Sequence, residues 1–233
     1  VDNQLYALSY RDGATIWKHS GISESAGLLG SAAPAVAGDL VVVPYSSGEL
    51  FAMRVENGRI AWSDSLSFQG RVGANTVLSD IDASPVIEGN VVYSVSYSGR
   101  LVAIDIRSGA RIWEQEIAST NTPWLAGDYL YVTTTDNNIV CIRRNDGRIR
   151  WVQSMPVYTD PEDQDGPIVW TRPTLIGDRL IIAGSDGEVR AVSPYTGRTL
   201  GRITLPDGVR VAPIAANGTL YILTTAAQVI ALR

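Results

Sequence analysis

One cysteine and one histidine are the only residues of this 233-residue chain that could form a thiol nucleophile with an imidazole base. Cys141 lies in the apolar run 139–142, and His19 is the sole imidazole that could serve it. A nucleophilic thiol needs a lowered pKa, whereas a cysteine among apolar neighbours is usually a small buried hydrophobe. We therefore predict a packing role for Cys141 and no catalytic residue in the chain. A single cysteine also excludes an intrachain disulfide.

A cluster of acidic residues in a long loop is the second place where chemistry could occur. The sequence Asp163-x-Asp165-Gly166 resembles part of a calcium-binding loop. The spacing of an EF-hand would place Pro161 at the first ligand position and Arg172 at the twelfth, and neither residue type serves there. We predict a solvated loop at this place, and no bound metal or cofactor in the chain.

Composition narrows the classes of partner. The net charge is −5 and the isoelectric point is near 4.9, whereas a protein that binds nucleic acid needs a basic surface. No apolar run approaches the roughly 18 residues of a membrane-spanning helix. The chain is therefore expected to bind neither nucleic acid nor a membrane directly.

A pattern of four residue types recurs five times along the sequence with fixed spacing, and we call this pattern the frame. Each copy has a proline, a small residue 18 positions later, a glycine six positions further and, in most copies, a tryptophan four positions after the glycine. The prolines are Pro34, Pro85, Pro123, Pro173 and Pro213, and the small residues are Ala52, Ala103, Cys141, Ala191 and Ala231, with Ala7 in a partial copy. The glycines are Gly13, Gly58, Gly109, Gly147 and Gly197, and the tryptophans are Trp17, Trp62, Trp113 and Trp151. Such constancy indicates one supersecondary unit stacked on itself.

One repeat, residues 80–117, shows what this unit is. Short runs rich in Val, Ile and Tyr, separated by glycine-containing turns, predict four antiparallel strands. The predicted strands are 83–87, 91–96, 100–106 and 110–117. Such a meander is a propeller blade, so we predict an all-β fold, a β-propeller of four-stranded antiparallel blades with about five to six blades in this chain. The frame tryptophan begins the outer strand, where it is expected to cover the groove between blades.

Length variation is confined to the segments between the tryptophan position of one copy and the next proline. The three long segments are 20–30, 67–80 and 156–170. In a meander blade they emerge on one face, which we interpret as the interaction face. The chain starts with the last two strands of a blade and stops after a third strand. We therefore expect residues 1–233 to be a single domain that is the C-terminal part of a longer propeller.

Three segments resemble known repeats. The run from Ala103 to Trp113 resembles the PQQ-type propeller repeat, a WD40-like repeat. Leu78-Ser-Asp-Ile-Asp-Ala-Ser-Pro85 and the ending Val229-Ile-Ala-Leu-Arg233 are similar to the BamB family within that superfamily. The likeness covers essentially the whole chain and is most specific between residues 78 and 117.

This resemblance implies a partner and a compartment. BamB proteins are eight-bladed propellers without catalysis or cofactor that are lipid-anchored at the periplasmic face of the outer membrane. They are part of the BAM complex, bind the POTRA domains of the barrel protein BamA, and are thought to help unfolded outer-membrane proteins.

The resemblance also implies site residues. Asp80 and Asp82 match two acidic positions of the family's L-S-D-x-D motif that contribute to the BamA contact. Read without the family, both are turn acids that cap backbone N–H groups. Leu28 and Leu29 match a second patch on the preceding inter-blade loop. The family has an arginine where Leu29 stands, so only the hydrophobic part of that patch is expected here.

Two alternatives remain within the same superfamily. A PQQ-dependent quinoprotein dehydrogenase needs a quinone, a calcium ion and an aspartate base, often with a disulfide between adjacent cysteines. The single cysteine excludes that disulfide, and no acidic cluster has convincing metal spacing. The other alternative is a sensor propeller that binds some other protein.

Overall fold

The computed structural model describes residues 3–22, 32–67 and 78–233 of the chain. These residues form strands, turns and loops, and they contain no helix that could span a membrane. Every described strand pairs antiparallel with a strand adjacent to it in the sequence. The predicted all-β class and its four-stranded antiparallel sheets are confirmed.

The chain consists of two compact units, residues 1–122 and residues 123–233. In the first unit a two-stranded hairpin precedes two four-stranded meanders. The hairpin is β1 (Gln4–Leu8) and β2 (Thr15–Ser20). The first meander is β3 (Ala35–Ala37), β4 (Leu40–Pro44), β5 (Glu49–Arg54) and β6 (Ile60–Ser65). The second is β7 (Val86–Glu88), β8 (Val91–Val95), β9 (Leu101–Asp105) and β10 (Arg111–Gln115).

The second unit repeats the meander and adds a short hairpin. Its first sheet is β11 (Trp124–Ala126), β12 (Tyr129–Thr133), β13 (Asn138–Arg143) and β14 (Ile149–Ser154). The hairpin is β15 (Tyr158–Asp160) and β16 (Asp165–Pro167). A four-stranded sheet follows: β17 (Thr174–Ile176), β18 (Arg179–Ala183), β19 (Glu188–Val192) and β20 (Thr199–Thr204). The last sheet has three strands, β21 (Ile214–Ala216), β22 (Thr219–Leu223) and β23 (Val229–Leu232).

The strand bounds of repeat 80–117 differ from the predicted ones mainly at the inner strand. β8 and β9 lie within about one residue of their predicted ends, whereas β7 begins at Val86 instead of residue 83. Pro85 has no N–H to give to the strand ladder, so the pairing can start only after it. The frame proline therefore sets the start of the inner strand.

The core of each unit lies between successive sheets, and the first four-stranded meander is covered on both faces. All five residues of β4 are buried, which a sheet with one solvated face would not show. One apolar cluster combines Val42 and Leu50 of the first meander with Val92 and Ile104 of the second. Burial of both faces explains why the inner strands read as continuous apolar runs.

A tryptophan and a glycine join consecutive sheets at the turn between the third and fourth strands. The indole Nε1 of Trp62 donates a hydrogen bond to the carbonyl oxygen of Ile106 at 2.6 Å. A Cβ atom on Gly109 would lie 2.7 Å from Trp62 Cγ, and φ at Gly109 is +73°, so only glycine fits. The arrangement recurs for Trp17 with Gly58 and for Trp151 with Gly197. Gly201 takes the tryptophan position of the fifth frame, and every residue of its strand β20 is exposed.

Candidate partner-binding site

The segment between β6 and β7 carries the predicted acidic pair. Glu49 pairs with Ser65 at the end of β6, so the segment leaves the sheet beside the β4–β5 turn. The β8–β9 turn lies at the corresponding end of the next sheet. We use the term loop face for the surface made by the two turns, 45–48 and 96–100, and by the described parts of segment 66–85.

Leu66 fixes the start of this segment to the turns of both neighbouring blades. Its side chain is fully buried, and its N–H donates to the carbonyl oxygen of Gly48 at 2.7 Å. Its own carbonyl oxygen accepts hydrogen bonds from the hydroxyls of Ser96 at 2.9 Å and Ser98 at 3.0 Å. Because the anchor uses both turns, the segment is tied to two blades at once.

The return of the segment is fixed just as closely. Ser79 packs against the β4–β5 turn, where a Cβ atom on Gly48 would lie 2.9 Å from the Ser79 carbonyl oxygen. The N–H of Tyr97 donates to the carbonyl oxygen of Asp80 at 2.8 Å. The acidic pair is therefore held between the two turns of the loop face by main-chain contacts on both sides.

The two acids differ in exposure. Asp80 is 2% exposed, whereas Asp82 is half-buried. Burial, and then the negative charge of Asp80, raise the pKa of Asp82 above its usual range. The structure thus brings the two predicted residues together, and it leaves Asp82 as the one that a partner can reach from solvent.

The predicted apolar pair, Leu28 and Leu29, lies outside the described residues. The chain that follows it is held at the acidic segment, because the N–H of Ala33 donates to the Ser84 hydroxyl at 2.9 Å. Ser84 is two residues after Asp82. Ala33, just after the first long inter-blade segment, is therefore held beside the chain that follows Asp82.

Cys141 and His19 each have a structural environment within their own unit. Cys141 is 1% exposed on β13, and burial raises the pKa of its thiol to about 12, so the thiol is protonated at neutral pH. His19 Nδ1 shares a hydrogen bond of 2.7 Å with the hydroxyl of Tyr45, and its ring lies 5.0 Å from the ring of Phe51. Cys141 is part of a buried apolar cluster of the second unit, which agrees with the packing role expected from its frame position.

The acidic segment of the second unit forms a hairpin. β15 and β16 pair Tyr158 with Pro167 and Asp160 with Asp165. Oδ1 of Asp160 accepts a hydrogen bond from the N–H of Glu162 at 3.0 Å, which closes an Asx-type turn. Across the described ranges, no three side chains of His, Cys, Asp or Glu converge as a metal site would require. The carboxylate of Asp160 therefore shapes the turn.

Sequence reasoning missed a turn position that lies four residues before the small residue of each frame. The residues with positive φ there are Asn3, Gly48, Gly99, Asn137, Gly187 and Ala227. At Asn137 the side-chain Nδ2 also donates to the carbonyl oxygens of Pro156 at 3.2 Å and Ile168 at 3.0 Å, which closes the base of the acidic hairpin. The recurrence of Gly and Asn at one fixed spacing is the sequence signal for this position.

Known proteins share both the sequence and this architecture. The family model described as outer membrane protein assembly factor BamB matches residues 1–153. The chain belongs to the BamB family. BamB of Legionella pneumophila is 30% identical over 84% of this chain and 49% of its own length, and BamB of Escherichia coli is 29% identical over 85% and 48%. The chain thus spans about half the length of the curated BamB relatives it matches.

Solved structures show that the BamB-family chain has the propeller fold. The crystal structure of BamB from Moraxella catarrhalis matches with a TM-score of 0.83, covering 99% of this chain and 66% of that chain at 22% identity. A europium-containing methanol dehydrogenase matches with a TM-score of 0.65, covering 87% and 47% at 15% identity. At these identities the likeness shows the fold alone, and it confirms the β-propeller class predicted from the repeats.

Proposed function

We propose that this chain acts in a non-enzymatic scaffold subunit of the outer-membrane β-barrel assembly (BAM) complex. Relatives that are about 30% identical are named outer membrane protein assembly factors, and family membership is the ground for the transfer. In this proposal the protein is lipid-anchored at the periplasmic face of the outer membrane. Residues 1–233 belong to one propeller domain of a longer protein, in keeping with the greater length of those relatives.

One observation carries the binding role: two carboxylates are held close together at the loop face. Burial, and then the charge of Asp80, raise the pKa of Asp82, so the ionised form of this acid is less favourable here than at an ordinary exposed position. Ile81 between the two acids is 3% exposed and supplies the apolar anchor of the segment. Perturbed acids of this kind cluster at functional sites.

A cationic side chain of a partner would favour the ionised form of Asp82. A carboxylate that pairs with Arg or Lys gains charge-assisted hydrogen bonds, and its pKa falls. We place Asp82 in direct contact with a POTRA domain of a BamA-type barrel protein, and Asp80 beneath it as a positioning residue. Leu28 and Leu29 supply the apolar part of the same interface, and unfolded outer-membrane proteins are the clients of the complex.

The shared fold also raises the alternative of a quinoprotein dehydrogenase. The dehydrogenases with this fold are 15% identical to the chain, so their likeness extends to architecture only. The relatives with twice that identity carry the assembly-factor name. These names favour the scaffold over both the dehydrogenase and the sensor propeller.

A binding measurement between the full-length protein and the POTRA domains of the BamA-type protein from the same organism tests the proposal. We expect Asp82→Asn to weaken binding about tenfold, because a charge-assisted hydrogen bond is lost. Asp82→Lys should abolish measurable binding through like-charge repulsion. Isothermal titration calorimetry gives both affinities.

Asp178→Asn is the matched control, since Asp178 is an exposed acid with a side chain 75% accessible in the β17–β18 turn. It should bind like the unmodified protein. Full-strength binding by Asp82→Lys would refute the site. Absence of binding by the unmodified protein would refute the partner itself.

A further inference from the structure

The position just before the frame proline departs from the repeat pattern in one of the five copies. The residue there is small in four copies, at Ala33, Ser84, Thr122 and Ala212. In the first unit these residues are hydrogen-bonded to one another: the Ser84 hydroxyl accepts from the N–H of Ala33 at 2.9 Å, and the Ser84 N–H donates to Thr122 Oγ1 at 3.1 Å. The remaining copy has Arg172 at this position. Packing of the frame therefore does not require a long cationic side chain there.

The backbone at Arg172 is held firmly within the second unit. The N–H of the preceding Thr171 donates to the carbonyl oxygen of Ala183 at 2.9 Å. The carbonyl oxygen of Thr171 accepts from Thr133 Oγ1 at 3.0 Å. Pro173 follows and is buried, and its ring restricts the conformation of Arg172. The side chain is thus presented from a fixed point between two sheets.

The guanidinium of Arg172 lies on an aromatic ring and has no acidic partner in the described parts of the chain. Its Cζ is 5.1 Å from the ring centroid of Trp124, a cation–π distance. The side chain is half-buried, and burial alone lowers its pKa. Neither a salt bridge nor a hydrogen bond joins it to another described side chain or carbonyl group.

Two other shielded arginines, Arg111 and Arg190, are matched with carboxylates. Arg111 holds Asp64 with two hydrogen bonds of 2.7 Å, and Arg190 holds Glu188 at 2.6 and 3.2 Å. Half-burial of a cation without such a match is unfavourable unless an anion binds. Arg172 is therefore set up to receive one.

We propose that Arg172 and Trp124 form a binding site for a carboxylate of a polypeptide. The guanidinium is a planar fork that matches the two oxygens of a carboxylate. The indole beside it, 5.1 Å from the guanidinium Cζ, offers apolar surface to the adjoining peptide. The site lies in the second unit and uses neither Asp80 nor Asp82, so its residues are different from those of the proposed BamA contact. The carboxylate is either an Asp or Glu side chain or a chain terminus.

Fluorine NMR of the full-length protein labelled with 5-fluorotryptophan tests the site, because Trp124 is a built-in reporter. Its resonance is identified by its loss in Trp124→Phe. Three short peptides of Gly and Ser are titrated: one with a central Asp and blocked ends, one with Asn in place of that Asp, and one without Asp but with a free C-terminal carboxylate. We expect a saturable shift with a carboxylate peptide and none with the Asn peptide. The carboxylate peptide that shifts the resonance identifies the source of the ligand.

Variants of Arg172 separate a built site from nonspecific attraction. Arg172→Ala should weaken binding tenfold or more, as for a lost charged hydrogen bond, while Arg172→Lys keeps the charge and should still lose most of the affinity, since the fork is gone. Both should fold, because the other copies hold small residues here. Arg198→Ala, at an exposed turn arginine, is the matched control and should bind normally. Equal shifts with all three peptides or with sodium chloride, or unchanged binding by Arg172→Ala, would overturn the proposal.

Discussion

Two segments lead from the outer strand of one blade to the inner strand of the next: 66–85 in the first unit and 155–173 in the second. We call them the first and the second crossing. They share a backbone contact and differ in the side chain placed there. The N–H of Tyr97 donates to the carbonyl oxygen of Asp80 at 2.8 Å, and the N–H of Ser185 donates to that of Val169 at 2.9 Å. The residue that is held is a 2% exposed acid in the first crossing and a 54% exposed valine in the second. The same main-chain hydrogen bond therefore occurs with side chains of different chemistry.

The next residue of each crossing is an apolar anchor. It is Ile81, 3% exposed, in the first crossing and Trp170, 2% exposed, in the second. Burial of this residue is common to both crossings, whereas an acid directly before it occurs only in the first. The anchor therefore accounts for the packing that the two crossings share, and we propose Asp82, the acid that solvent reaches, as the residue available for binding.

Removal of the anchor should have the largest effect. Trp170→Ala should lower the free energy of unfolding by about 3–5 kcal/mol, because a fully buried indole is lost and a cavity remains. Ile81→Ala should cost about 2–5 kcal/mol for the same reason. Val169→Ala, next to Trp170 but exposed, is the matched control and should change stability by less than about 0.5 kcal/mol. Urea denaturation gives all three values, and a Trp170→Ala cost below that of the control would mean that the crossing is not anchored there.

Much of the fold, but little of the site, follows from the sequence. The repeat frame predicts the blades, and β8 and β9 fall almost where expected, because glycine turns and apolar runs act locally. The burial of Asp80 is not predictable in this way. It depends on two turns, 45–48 and 96–100, that meet the segment only in the folded protein. The side-chain hydrogen bonds of Asn137 are equally nonlocal, since the carbonyl groups that accept them are 19 and 31 residues away in the sequence.

An exchange at the left-handed turn position should distinguish how the two crossings are held. Gly48→Asn should cost about 1–3 kcal/mol, because φ is +80° and a Cβ atom would lie 2.9 Å from the Ser79 carbonyl oxygen. Asn137→Gly should cost about 1–2 kcal/mol, because the hydrogen bonds to Pro156 and Ile168 are lost while the φ of +54° is tolerated. Thermal unfolding measures both changes. If Gly48→Asn did not change stability, close packing of Ser79 against the β4–β5 turn would be contradicted.

The smallest effect concerns the acid itself and depends on pH. The folded protein raises the pKa of Asp82 above the ordinary value of about 3.9, through burial first and the charge of Asp80 second. A raised acid pKa means that the folded state binds this proton more tightly than the unfolded state does. The free energy of unfolding therefore falls as the pH rises from the unfolded-state pKa of Asp82 to its folded-state pKa. Asp82→Asn should therefore raise the melting temperature slightly at pH 7.

This gain should disappear near pH 3, where Asp82 is protonated in both states. Asp178→Asn, at an exposed acid, should show no comparable pH dependence. A stabilisation by Asp82→Asn that persisted unchanged at pH 3 would mean that the acid's charge is not its cause. If instead the gain follows pH and the same variant binds its partner more weakly, then the feature that separates the first crossing from the second is a carboxylate retained at a cost in stability for binding.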